Sequence, residues 1–342
     1  MRNEATRDVL KTWLYAAASV LAGALAFPWI YNGCMALAEV TANRQTIGAM
    51  EKLGGVFGGW PHASFFSLSL ILSACALFLP FAAWLRLGGH PNAARSAPWS
   101  VRLPPGTVIS GLGQPLAKNP AGPAHWIAGV LLAAGVLLLM GYALSKTGAF
   151  VLAKHPSPPT ATLAWLAFLT IALPLLLEIL FRGIAMGVFL RAMRPAAAIL
   201  LTALLSSLLY FFFLPPARLS VADPEALSAG LSLLGRLAAR LAGPVPFFTE
   251  FAPLLAAAFL FTYARWRTAS LWLPAGLHTG WMLANGLFPH FATAVPHKDP
   301  IARLLAGDLL RHGLLSLIGI IIIVTLVHFL TATHARPADP PP

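Results

Sequence analysis

Residues 173–190, LPLLLEILFRGIAMGVFL, place a carboxylate and a guanidinium, Glu178 and Arg182, inside an otherwise apolar run. A hydrocarbon core ~30 Å thick is crossed by roughly 20 helical residues. Backbone polar groups in hydrocarbon must be satisfied within the segment, so such a run is a helix and not a strand. On that helix Glu178 and Arg182 stand one turn apart, on one face. Each charge inside a spanning helix costs on the order of 2.5–3.5 kcal/mol on insertion scales, so both need a reason to be there.

Working outward, about eight apolar segments have the length to span: near 12–31, 63–85, 126–145, 161–181, 196–214, 251–264, 270–288 and 313–331. The expected fold is an all-α polytopic membrane protein. Composition agrees: the chain has 342 residues, is 58% hydrophobic and 10% charged, and has a mean hydropathy of +0.75. Soluble domains carry about 25% charged residues. A water-soluble enzyme, a nucleic-acid binder and a disordered regulator are therefore disfavoured. The net charge of +12 comes from basic residues set between apolar runs, where membrane lipids are the natural partners.

The organisation divides into N-terminal helices with a basic Pro/Gly-rich loop (1–160), a core (161–290), and a last helix with a Pro-rich tail (291–342). The loop from Arg86 to Lys118 holds Arg86, Arg95, Arg102 and Lys118 and no acidic residue. Positive loops stay in the cytoplasm, which puts the N-terminus inside. The first apolar run continues past Ala26 through Phe27, Trp29 and Ile30, so an uncleaved first helix is favoured over a signal peptide. Leu spacing over 226–242, with Arg236 and Arg240 four apart, fits a short interfacial amphipathic helix. Cys34 and Cys75 fit neither a zinc site nor a disulfide framework.

A second ionisable group lies in SLWLPAGLHTGWMLANGLF. His278 sits between Trp272 and Trp281, with Gly276 and Gly280 permitting close helix approach. Together, Glu178, Phe181, Arg182 and Gly183, followed by the stretch ending at His278, resemble the CPBP family of intramembrane proteins. That family comprises type II CAAX prenyl endopeptidases and bacteriocin-processing or immunity proteins. The resemblance implies an intramembrane endopeptidase scaffold, a bacterial inner membrane, and membrane-embedded or prenylated peptide segments as partners. It implies Glu178, Arg182 and His278 as the site residues.

The match is partial. The family's first motif pairs two Glu residues, and the first of them is Leu177 here. In SSLLYFFFL, Tyr210 takes the aromatic position of the second motif and Leu214 takes its His position. The Asn that follows the third-motif His is Met282. In the family those positions are held to activate water and stabilise the oxyanion. Leu177, Leu214 and Met282 offer neither lone pair nor proton, and Leu177 is about 100° round the helix from Glu178. One carboxylate and one His are also too few for the three protein ligands of a catalytic zinc, and no cofactor is expected.

The expectation is a CAAX protease-related membrane protein, catalytically impaired, that binds membrane partners or peptide segments. An active endopeptidase with an altered site, in which Glu250 could substitute, is the alternative. A transporter, which predicts broken half-helices and related halves, is less favoured.

Overall fold

A computed structural model describes residues 2–43, 48–85, 121–153, 170–268, 270–295, 305 and 310–331. The basic loop at 86–118 and the Pro-rich tail lie outside the described residues. Ten helices are described: α1 (Arg2–Asn43), α2 (Ala49–Gly58), α3 (His62–Trp84), α4 (Gly122–Lys146), α5 (Thr170–Ala192), α6 (Pro195–Phe213), α7 (Ala229–Ala242), α8 (Pro244–Thr268), α9 (Trp272–Phe291) and α10 (Leu314–Leu330).

The described part of each expected apolar segment falls on one of these helices, residues 161–169 of the fourth lying outside the described residues, and the architecture is all-α and polytopic. Among the described residues six helices are long and apolar enough to cross a membrane: α1, α3, α4, α5, α6 and α8. Two expected spans fall short of that measure. The 20-residue α9 carries His278, Asn285, Pro289 and His290 among its apolar positions, and α10 has 17 residues. The segment expected to be short, 251–264, begins earlier, at Pro244, and runs 25 residues. Two three-residue strands were not anticipated: β1 (Phe150–Leu152) pairs antiparallel with β2 (Ala292–Ala294).

The chain forms two compact units. One holds residues 7–86 and 208–244. Within it α1 and α3 run antiparallel, Lys11 reaching the Trp84 carbonyl at 3.1 Å and Tyr15 the Ala74 carbonyl at 2.8 Å. Tyr15 and Phe81 stack with ring centroids 4.2 Å apart. The amphipathic α7 turns its buried Leu233 and Leu237 inward. Gly230 of that helix lies against the Ala24 carbonyl and Phe27, where a Cβ has no room.

The other unit holds residues 1–6, 87–207 and 245–342. Here α4 and α9 lie side by side in the same direction, with Gly122 on Trp272, Gly129 on Leu277 and Gly141 on Phe288. A Cβ at Gly129 would sit 2.7 Å from the Leu277 amide nitrogen, and one at Gly276 would run into the Trp126 backbone. This is the close approach that small residues give membrane helices. Pairing of β1 with β2, which directly follow α4 and α9, ties the two helix ends together. The core between α4, α8, α9 and α10 is apolar, built from Leu137, Leu260, Leu277, Ile320 and Ile323.

Candidate functional site

Within this second unit a polar knot interrupts the apolar core. Glu178 comes from α5 at the point where the helix widens into a π-helical turn over Ile179–Ala185. Such turns are uncommon inside α-helices and recur at functional sites. Arg182 lies within the turn, and its Nη1 donates to Glu178 Oε1 at 3.1 Å. The one-turn spacing therefore produces the expected pair.

Arg182 does more than neutralise Glu178. Its Nε donates to Thr262 Oγ1 at 3.3 Å, and Nη2 donates to the Ala258 carbonyl at 3.0 Å and to Ser206 Oγ at 3.4 Å. The guanidinium fork thereby joins α5, α6 and α8. Its carbon also lies 5.4 Å from the centre of the Phe261 ring. A planar group with five donors satisfies several acceptors at once, which Lys could not do.

His278 completes the knot from α9. Its Nδ1 stands 2.8 Å from Glu178 Oε1, and its ring stacks on Phe261 at 4.8 Å between centroids. Nδ1 donates in this bond when it carries the ring proton, the tautomer that suits a carboxylate oxygen. Glu178 is 0% exposed, Arg182 1% and His278 2%, so the cluster is shut off from solvent and lipid alike. Among the described residues the second carboxylate oxygen, Glu178 Oε2, finds no hydrogen-bond partner, and neither does the hydroxyl of Thr279, next to His278.

The three residues singled out from the sequence thus meet at one carboxylate oxygen. Leu177, beside Glu178, is half-buried, and Met282, one turn after His278, is half-buried. Leu214 belongs to the other compact unit and is 51% exposed at the end of α6. Glu250 lies in the π-helical turn of α8, eight residues before Ala258 and roughly 12 Å along the axis, and its charge acts on Arg311. Sequence reasoning missed Ser206, Thr262 and Phe261. Hydroxyls in the apolar runs SSLLYFFFL and FLFTYARW were the available signal. Among the described residues no group of three or more His, Cys, Asp or Glu stands together in a metal-holding arrangement.

Long apolar helices wrapped around a buried Glu–Arg–His cluster define an integral membrane protein with a polar intramembrane core. Residues 159–284 match the family model described as "Type II CAAX prenyl endopeptidase Rce1-like". All three members of the cluster fall within the matched residues. No curated protein and no solved structure matches the chain.

Proposed function

We propose that this CAAX protease-related protein binds membrane-embedded or prenylated peptide segments without cleaving them, from a bacterial inner membrane with its N-terminus in the cytoplasm. The observation that carries the reading is the double engagement of Glu178 Oε1 by Arg182 and His278 inside a closed core. Amide hydrolysis needs a base within reach of a water and donors for the developing oxyanion. The Glu178 oxygen that faces the cluster is already taken up by a guanidinium and an imidazole. The positions at which the resembled family carries a second base and oxyanion donors hold Leu177, Leu214 and Met282 here. Loss of one member of a catalytic group costs about 10⁴-fold or more. The polar set then serves to lock four helices together and preserve the scaffold.

Binding is tested with a farnesylated C-terminal peptide carrying a photoreactive group, added to the protein in bilayer nanodiscs. The expected result is saturable crosslinking within 159–284 with the peptide recovered at full mass. Absence of saturable crosslinking contradicts the reading.

A second reading has one observation in its favour. Glu178 Oε2 is an unpartnered acceptor beside His278, and a water held there would meet a carboxylate and an imidazole together. That arrangement would support residual endopeptidase activity, and it predicts truncated peptide in the same experiment.

A further inference from the structure

The last turn of α8 reads Arg265-Trp266-Arg267. Arg267 is accounted for: its Nε donates to Thr331 Oγ1 at 3.0 Å and Nη2 reaches the His328 carbonyl at 3.4 Å. Arg265 is not. It is 7% exposed, and among the described residues its Nε finds no hydrogen-bond partner and no carboxylate pairs with it. The indole N–H of Trp266, the next residue, is likewise buried and without an acceptor. Two strong donors in consecutive positions are thus enclosed with nothing to receive their hydrogens.

The carboxylates of this unit offer no remedy among the described residues. Arg265 shares a helix face with Ala258 and Thr262, the residues that hold Arg182. Glu178 is already engaged there by Arg182 and His278. Glu250 stands fifteen residues earlier on α8, roughly 22 Å along the axis. The buried set Glu178, Arg182 and Arg265 therefore carries an excess positive charge. Arginine does not escape burial by losing its proton. The partial negative charge at the end of α8 favours a cation but leaves Nε without an acceptor. An isolated buried charge is strongly unfavourable, so an anion belongs here.

We propose that Arg265, with the Trp266 indole N–H, binds a phosphate group at the C-terminal end of α8, supplied by the headgroup of an anionic phospholipid. Guanidinium groups match phosphate with charge-assisted, fork-like hydrogen bonds. The position suits a lipid: it is the last turn of a membrane-spanning helix, where cationic and indole side chains meet headgroups. The exposed part of Arg265 leaves an approach for the phosphate oxygens. This site stands apart from the peptide-binding reading and does not depend on it.

The test uses the full chain in nanodiscs of phosphatidylcholine alone and with one-fifth phosphatidylglycerol, with bound lipids counted by native mass spectrometry. Melting temperature is measured in the same discs. The wild type should retain phosphatidylglycerol selectively and melt higher in its presence. Arg265→Gln should weaken that retention by roughly tenfold or more and abolish the melting response. It should melt no lower than wild type in pure phosphatidylcholine, whose phosphate is offset by its own choline and so brings no net negative charge, because an uncompensated charge has been removed. Arg191→Gln, at an exposed arginine of α5, should respond as wild type does. A parallel arm adds inorganic phosphate to the phosphatidylcholine discs. Stabilisation by the lipid alone assigns the anion to a headgroup. Stabilisation by both, each lost in Arg265→Gln, assigns it to the phosphate group itself. A wild-type protein that melts identically in both discs and ignores phosphate overturns the proposal, whether or not the variant folds.

Discussion

His278 Nδ1 and Glu178 Oε1 lie 2.8 Å apart although one hundred residues of chain separate them. The contact closes a ring of interactions in which Arg182 approaches the same oxygen from its own helix at 3.1 Å. Carboxylate, guanidinium and imidazole are engaged with one another, and Phe261 lies against both the Arg182 guanidinium and the His278 ring. The cluster is therefore a structural joint first, and any chemistry at Glu178 has to work against that.

Removing one side of the joint should be far worse than removing both. Arg182→Leu strands a buried carboxylate and leaves Thr262, Ser206 and the Ala258 carbonyl without their shared donor. A loss of about 3–5 kcal/mol is expected, seen as a lower melting temperature and less monodisperse protein in detergent. The double change Glu178→Leu with Arg182→Leu should recover part of that loss. Unchanged melting of the single variant would deny the pair a structural role.

Two glycines flanking the site should behave oppositely. At Gly276 a Cβ meets the Trp126 backbone across the α4–α9 contact, and backbone cannot step aside. Gly276→Ala should therefore cost about 1–3 kcal/mol through overpacking. At Gly183, next to Arg182, the nearest atoms to a Cβ are 3.9 Å away, an ordinary contact. Gly183→Ala should melt as the wild type does. Thermal melts of the two variants in one detergent distinguish them.

Membrane orientation is open to reporter fusions. If positive residues between Arg86 and Lys118 hold that loop inside, a fluorescent reporter inserted there should fold and glow. A periplasm-dependent phosphatase at the same place should be inactive. The parallel run of α4 and α9 agrees with alternating crossings, since these are the third and seventh of the expected segments. An active phosphatase fused in the loop would reverse the assignment.

The helices were legible in the sequence because long apolar runs can satisfy their backbones only as helices in lipid. The Glu178–Arg182 pair was legible because one-turn spacing makes it local. What Arg182 does beyond that pair was not legible. Thr262 and Ser206 are isolated hydroxyls in apolar runs, and only the packing of α5, α6 and α8 selects them as acceptors. The β1–β2 pairing left no trace either, since three residues such as FVL or ATA are too few for strand alternation to register. The start of α8 was placed late because the π-helical turn over Phe247–Phe251 includes the charged Glu250, which ends an apolar run by composition but not by structure. In the sequence Arg265 reads as one more basic residue at the end of an apolar run. Its burial depends on helix packing that spacing does not report.

The most direct measurement of the central claim is a cleavage assay on the purified wild-type protein in bilayer nanodiscs. A library of farnesylated and unmodified CAAX-type peptides is incubated with it and every product is weighed by mass spectrometry. With Glu178 held by Arg182 and His278, and with Leu177, Leu214 and Met282 at the other positions, no truncated peptide should rise above the protein-free background. Sustained turnover that disappears in His278→Ala would contradict the account and establish an active intramembrane endopeptidase.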